Sequence, residues 1–123
     1  MICADTNCWI AYLSGDAGQD TGILDHAVIH GAVVMAPVVL SELLSDPQLE
    51  SQDAADLCAI TLLEIGPGYW ERAGRLGAQL LAKRVKARLA NTLIAQICID
   101  HDVPLITRDK DFRHFAKYGL RLA

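Results

Sequence analysis

The chain has 123 residues, 52% of them hydrophobic, and a formal net charge of −4. That is enough for one domain with its own core and too apolar for disorder. It offers no overall basic field, so any contact with nucleic acid has to come from a local patch. No apolar run reaches the roughly 18 residues needed to span a bilayer. The start, Met1-Ile2-Cys3-Ala4-Asp5, lacks both a charged n-region and a long apolar h-region, so no signal peptide and a cytoplasmic location are expected.

Met1 to Ala4 reads as a buried strand ending in Asp5-Thr6-Asn7, followed by a short amphipathic helix over Cys8–Leu13. A second helix starts at Asp20 or Thr21, either of which can cap it, and presents Leu24, Ala27, Val28 and Gly31. Ala32–Met35 is a second strand. Pro37 opens the next helix, which carries Val38, Leu40, Ser41, Glu42 and Leu43 and ends before Asp46-Pro47. A helix over Ala54–Ile60 leads to a third strand, Thr61–Ile65, bounded by Gly66-Pro67-Gly68.

Trp70, Ala73, Leu76, Gly77, Leu80 and Leu81 recur at helical spacing and predict a long helix over Tyr69–Val85. The basic cluster Lys83, Arg84, Lys86 and Arg88 follows it. The next helix, about Ala90–His101, turns Leu93, Ile94, Ile97 and Cys98 inward and has Asn91 near its start. Pro104–Ile106 is a fourth strand, Thr107–Asp111 the loop after it, Phe112–Tyr118 a short helix, and Leu120 with Leu122 a fifth, edge strand. The four cysteines form no CxxC pair and read as reduced core thiols.

Strands alternating with helices predict an α/β fold, a three-layer domain with a mostly parallel sheet of four to five strands flanked by helices. Ligands bind such sheets outside the carboxyl ends of the strands. This puts Asp5 and Asp109 on one edge, within reach of Glu42. Two carboxylates about 5 Å apart repel by about 3 kcal/mol at an effective dielectric of about 20. A hard divalent cation relieves that repulsion and can activate water against a phosphodiester. Singly, each residue also has a plain structural role. Asp5 and Asn91 suit helix caps, Glu42 a solvated helix face, Asp109 and Asp111 Asx-turns, and Lys83 to Arg88 a solvated helix end. Thr6 and Asn7 either orient a ligand water or complete the turn.

Four segments in this order, ADTN, SELL, KARLANTLIAQ and LITRDKDF, resemble the PIN-domain proteins, and among them the VapC ribonuclease toxins of toxin–antitoxin pairs. The resemblance covers nearly the whole chain. It implies one PIN domain over residues 1–123 that binds Mg²⁺ or Mn²⁺ through acidic side chains and cleaves RNA. It further implies a homodimer, a cognate VapB-like antitoxin and no membrane partner.

Position by position, Asp5 matches the first acid and Glu42 the second. Asp109 matches the fourth, with Asp111 as a second candidate, and Thr107 matches the hydroxyl residue before it. On this reading Arg84, Lys86, Arg88 and Arg108 meet the RNA backbone, where basic side chains position without specifying sequence. The third acid falls at position 91, where this chain has Asn91. Three explanations stand: an engineered inactivating change, a natural variant offering the metal a neutral oxygen, or a degenerate non-cutting relative. The intact remaining motifs favour the first, and all three weaken metal binding. Two other functions compete. One is an inactive binding module that sequesters an antitoxin or RNA. The other is a phospho-accepting signalling domain, which the absence of Asp after the third strand disfavours.

Overall fold

The computed structural model describes all 123 residues. Its elements are β1 (Ile2–Ala4), α1 (Thr6–Leu13), α2 (Gln19–Ile29), β2 (Val33–Val34), α3 (Pro37–Leu44), α4 (Ser51–Cys58), α5 (Tyr69–Ala82), α6 (Leu89–Asp100), β3 (Leu105–Ile106) and a terminal 3₁₀ helix (Lys110–Tyr118). The sheet is parallel, in the order β2-β1-β3. No helix is long and apolar enough to cross a membrane.

The sheet has three strands, not the four to five expected. Each missing strand survives as a single parallel bridge at an edge, Leu62 to Met35 beside β2 and Leu122 to Leu105 beside β3. β-Propensity in Thr61–Ile65 describes side chains that suit a pleated surface, not a partner for every residue. Leu62, Glu64 and Ile65 are exposed, and Gly68, with φ 78°, turns the chain into α5.

The strands carry no polar alternation because they are buried. Cys3, Ala4, Val33, Val34, Leu105 and Ile106 all belong to a core cluster of 27 residues. With helices flanking the sheet, its residues need no polar alternation. Trp9, Phe112, Phe115, Leu80 and Ile97 close the core around it. Cys3, Cys8 and Cys98 are buried as expected, whereas Cys58, the last residue of α4, is exposed.

Several boundaries differ from the sequence reading. α2 is capped from Gly18, whose backbone N–H is taken by the Thr21 hydroxyl at 2.8 Å; neither Asp20 nor Thr21 is the capping residue. α5 stops at Ala82 because Arg84 takes φ 58°, and Val85 N–H returns to the Leu80 carbonyl at 3.0 Å. This is a left-handed helix closure without the usual glycine. α6 begins at Leu89 with Arg88 as its cap, which puts Asn91 inside the first turn and not at the cap.

Candidate active site

The carboxylates gather at the carboxyl ends of β1 and β3. Asp5 follows β1, and its backbone N–H donates to the Ile106 carbonyl at 2.9 Å, locking the two strand ends together. Its residue is 4% exposed. One carboxylate oxygen accepts from the Thr6 backbone N–H at 2.7 Å, the cap of α1. The other accepts from the Thr107 hydroxyl at 2.9 Å. Asp5 thus caps α1 and faces the site at the same time.

A chain of hydrogen bonds runs outward from Asp5 in both directions. The Thr6 hydroxyl donates to Glu42 Oε1 at 2.6 Å, tying α3 to the start of α1. On the other side, Asp109 N–H donates to the Thr107 hydroxyl oxygen at 2.9 Å. Asp109 Oδ1 accepts from the Asp111 backbone N–H at 2.8 Å, which starts the 3₁₀ helix. Asp109 Oδ2 accepts from Asn91 Nδ2 at 3.1 Å. An ionised carboxylate only accepts, so the amide has to turn its NH₂ toward Asp109.

Burial pushes the Asp5 carboxyl above the ordinary carboxylate range. The hydrogen bonds from Thr107 and Thr6 pull it back in part, while Glu42 and Asp109 push it further up. Asp5, Glu42 and Asp109 therefore share one electrostatic environment. No three His, Cys, Asp or Glu side chains stand close enough to form a preassembled metal cage. The donors that do converge are oxygens. They suit a hard cation held by one or two carboxylates while it keeps several waters, as Mg²⁺ does.

The remaining expected site residues fall in three places. Asp111 is 3.8 Å from Lys86 Nζ. Arg84 and Arg88 are exposed and carry no ion pair, and Asn7 is exposed on α1. Arg108 is not available as expected. Its guanidinium donates to Asp20 through Nε and Nη2 and to Asp16 through Nη1 at 2.8 Å. Asp16 and Asp20, in and after the α1–α2 turn, take no part in the sequence reading of the site. Lys110 and Arg113 were missed as well; they line a cavity of about 270 Å³ together with Asp109. Their only sequence signal is proximity to Asp109.

The PIN domain family matches residues 2–118. The chain belongs to the PIN-domain family. Solved PIN-fold neighbours span it almost end to end. VapBC2 from Rickettsia felis bound to a promoter DNA fragment is 20% identical with a TM-score of 0.78, covering 100% of this chain and 98% of that one. DNA-bound VapBC from Salmonella typhimurium is 16% identical with a TM-score of 0.73, covering 100% and 98%. VapBC-5 from Mycobacterium tuberculosis is 21% identical with a TM-score of 0.63, covering 98% of each. At these identities the likeness is one of fold. No functionally curated protein matches the sequence.

Proposed function

We propose that this PIN domain is a divalent-metal-dependent endoribonuclease toxin of a toxin–antitoxin pair, weakened or silenced in this chain by Asn91. The observation that carries the reading is the continuous arc Glu42–Thr6–Asp5–Thr107–Asp109–Asn91 across the ends of β1, α3, α6 and β3. Asp5, Glu42 and Asp109 would surround Mg²⁺ or Mn²⁺, one or two of them binding it directly and the rest through its waters, with Asp111 behind them. The ion, when bound, supplies an acidified water and polarises the scissile phosphate. Thr6 and Thr107 fix the carboxylate rotamers, and Asn91 holds Asp109 through its amide. One anionic ligand is lost at position 91, which lowers metal affinity.

Partners follow from surfaces beside the arc. A groove of about 250 Å³ starts at Glu42, is floored by Ile10, Leu13, Leu43 and Leu49, and is rimmed by Asp46, Glu50 and Asp53. Such a groove suits a partner presenting arginine and apolar side chains, in keeping with a VapB-like antitoxin. The neighbours named above are VapBC complexes, and FitAcB from Neisseria gonorrhoeae is a further structural neighbour. Exposed Trp70 and Leu81 on α5 and Ile29 on α2 support a homodimer.

The second reading, an inactive module that sequesters antitoxin or RNA, is favoured by one observation. The Asn91 amide already satisfies Asp109 without a cation. Incubating defined RNAs and Mg²⁺ with Asn91→Asp, and with Asn91→Asp carrying Asp5→Ala, separates the two. The nuclease reading expects cleavage by the first and none by the second. A folded Asn91→Asp protein that cuts nothing would leave the binding module.

A further inference from the structure

We propose that the pocket between the end of α5 and the terminal 3₁₀ helix is a phosphate-binding site that holds the RNA strand beside the cut. The identity of the strand rests on the nuclease reading above; the site itself is read from charge.

The chain carries eleven Lys and Arg against fifteen Asp and Glu. Four of the cations are neutralised in ion pairs: Arg72, Lys86, Arg108 and Arg121. Of the others, all but Arg75 lie within residues 83–88 or 110–117. The pocket where these two segments meet has a volume of about 360 Å³. Lys83, Arg113, His114, Lys117 and Tyr118 line it with two aliphatic side chains, and no carboxylate does. Three uncompensated cations around one concavity repel each other and focus a positive potential into it. The groove on the Glu42 side is the reverse, rimmed by carboxylates with no cation.

The pocket is built, not incidental. The left-handed turn at Arg84 ends α5 and leaves Lys83 as its exposed cap. Lys83 Nζ lies 5.5 Å from the centre of the Tyr118 ring, a cation–π contact that seats it at the pocket. Arg113 lines this pocket and also the cavity that contains Asp109 and Lys110. At about 2 Å of rise per residue, the 3₁₀ helix carries this basic surface some 16 Å from Asp109. A strand with a phosphate at Asp109 would run along it, whereas the acidic groove would turn the strand away on the other side. The side chains offer charge and donors without a base-reading pattern, so the site takes backbone phosphates of any sequence.

The test is fluorescence anisotropy of a labelled single-stranded RNA with the 123-residue chain in EDTA, titrated with salt. The variants are Lys83→Glu/Arg113→Glu/Lys117→Glu and the neutral set Lys83→Gln/Arg113→Gln/Lys117→Gln, each checked against the parent's melting curve. The reversal is expected to weaken binding about tenfold or more and to reduce the slope of log affinity against log salt by about 2, at about 0.7 per phosphate contact. The neutral set falls between. Unchanged RNA affinity in both sets overturns the site, as does a parent chain that binds no RNA. Tighter binding of a polyglutamate peptide than of RNA, lost in the same variants, overturns it in favour of an acidic protein segment. Placed in Asn91→Asp, the charge reversal separates the two proposals. Cleavage at unchanged KM sinks the pocket while the nuclease reading stands. Loss of RNA binding by the reversal, with no cleavage by Asn91→Asp, sinks the nuclease reading and keeps the pocket.

Discussion

At the β1 end of the site, Asp5 is buried and both its oxygens are met by groups that the fold places there: the first N–H of α1 and the hydroxyl that follows β3. At the β3 end, Asp109 is half-buried, and one of its oxygens is met by the amide of Asn91, a side chain from another helix. The upstream carboxylate is held by backbone and hydroxyl, whatever else occupies the site. The downstream carboxylate has one backbone donor, the Asp111 N–H, and takes its second from a side chain that an aspartate could not replace. Asn91 is therefore more than a carboxylate subtracted from the proposed metal set. It gives Asp109 a donor where an aspartate would add one more like charge to the Asp5, Glu42 and Asp109 carboxylates.

The largest effect that tests this contrast is expected from Asn91→Asp. It removes the donor and sets two carboxylates against each other. The Coulomb cost, about 4 kcal/mol at 4 Å and an effective dielectric of 20, is roughly halved because both groups are partly solvated and can swing apart. Urea unfolding in EDTA should therefore show a loss of about 2 kcal/mol, and Mn²⁺ should restore more stability to this variant than to the parent chain. Equal Mn²⁺ responses would mean that an aspartate at position 91 adds no like charge to the other three carboxylates.

Asp5→Ala is expected to cost less, about 1–2 kcal/mol. It deletes the α1 cap and the partner of Thr107, but it also removes a buried charge whose ionisation the fold disfavours. Asp5→Asn keeps a good cap and loses the charge, so its denaturant midpoint should match or exceed the parent's in EDTA. A loss in Asp5→Asn as large as in Asp5→Ala would show that the charge, not the cap, holds the β1 end.

The sequence placed much of this. A short apolar run ending in Asp, a proline suited to a first helical turn and an acidic loop after a buried strand all mark local backbone states that nearby residues determine. They located Asp5, α3 with Glu42, and Asp109. What escaped depends on partners far away. The Arg108 clamp joins residues 88 and 92 positions apart through side chains alone, and such a pairing leaves no trace in either local segment. The third and fifth strands failed because a strand needs a neighbour along its whole length, and Leu62 and Leu122 each find only one. Asn91 is read at the third acid position, with a helix cap as its plain alternative. α6 is capped at Arg88, three residues earlier, which rules out the cap and leaves a side chain that donates to Asp109.

The smallest effect expected concerns that clamp, which holds the β3 end from outside the arc. Hydrogen bonds from Arg108 hold the Asp20 carboxyl down at about 2, below the ordinary 3.8. As the pH falls between these values, the unfolded chain takes up a proton at Asp20 before the folded one does. The stability from the pair is thus complete above the ordinary carboxylate range and is lost as the pH falls toward 2. Both side chains reach solvent, Arg108 at 37% and Asp20 at 20% exposure, so the pair contributes at most a modest amount at neutral pH. Arg108→Gln should leave the neutral-pH melting temperature nearly unchanged and flatten the acid-side decline of stability. If Arg108 were free to bind RNA, the same variant would weaken RNA affinity in the anisotropy assay and leave the acid limb as it was. Because Asp109 directly follows Arg108, loosening the clamp should also raise backbone amide exchange in the Thr107–Asp111 loop and not at Asp5.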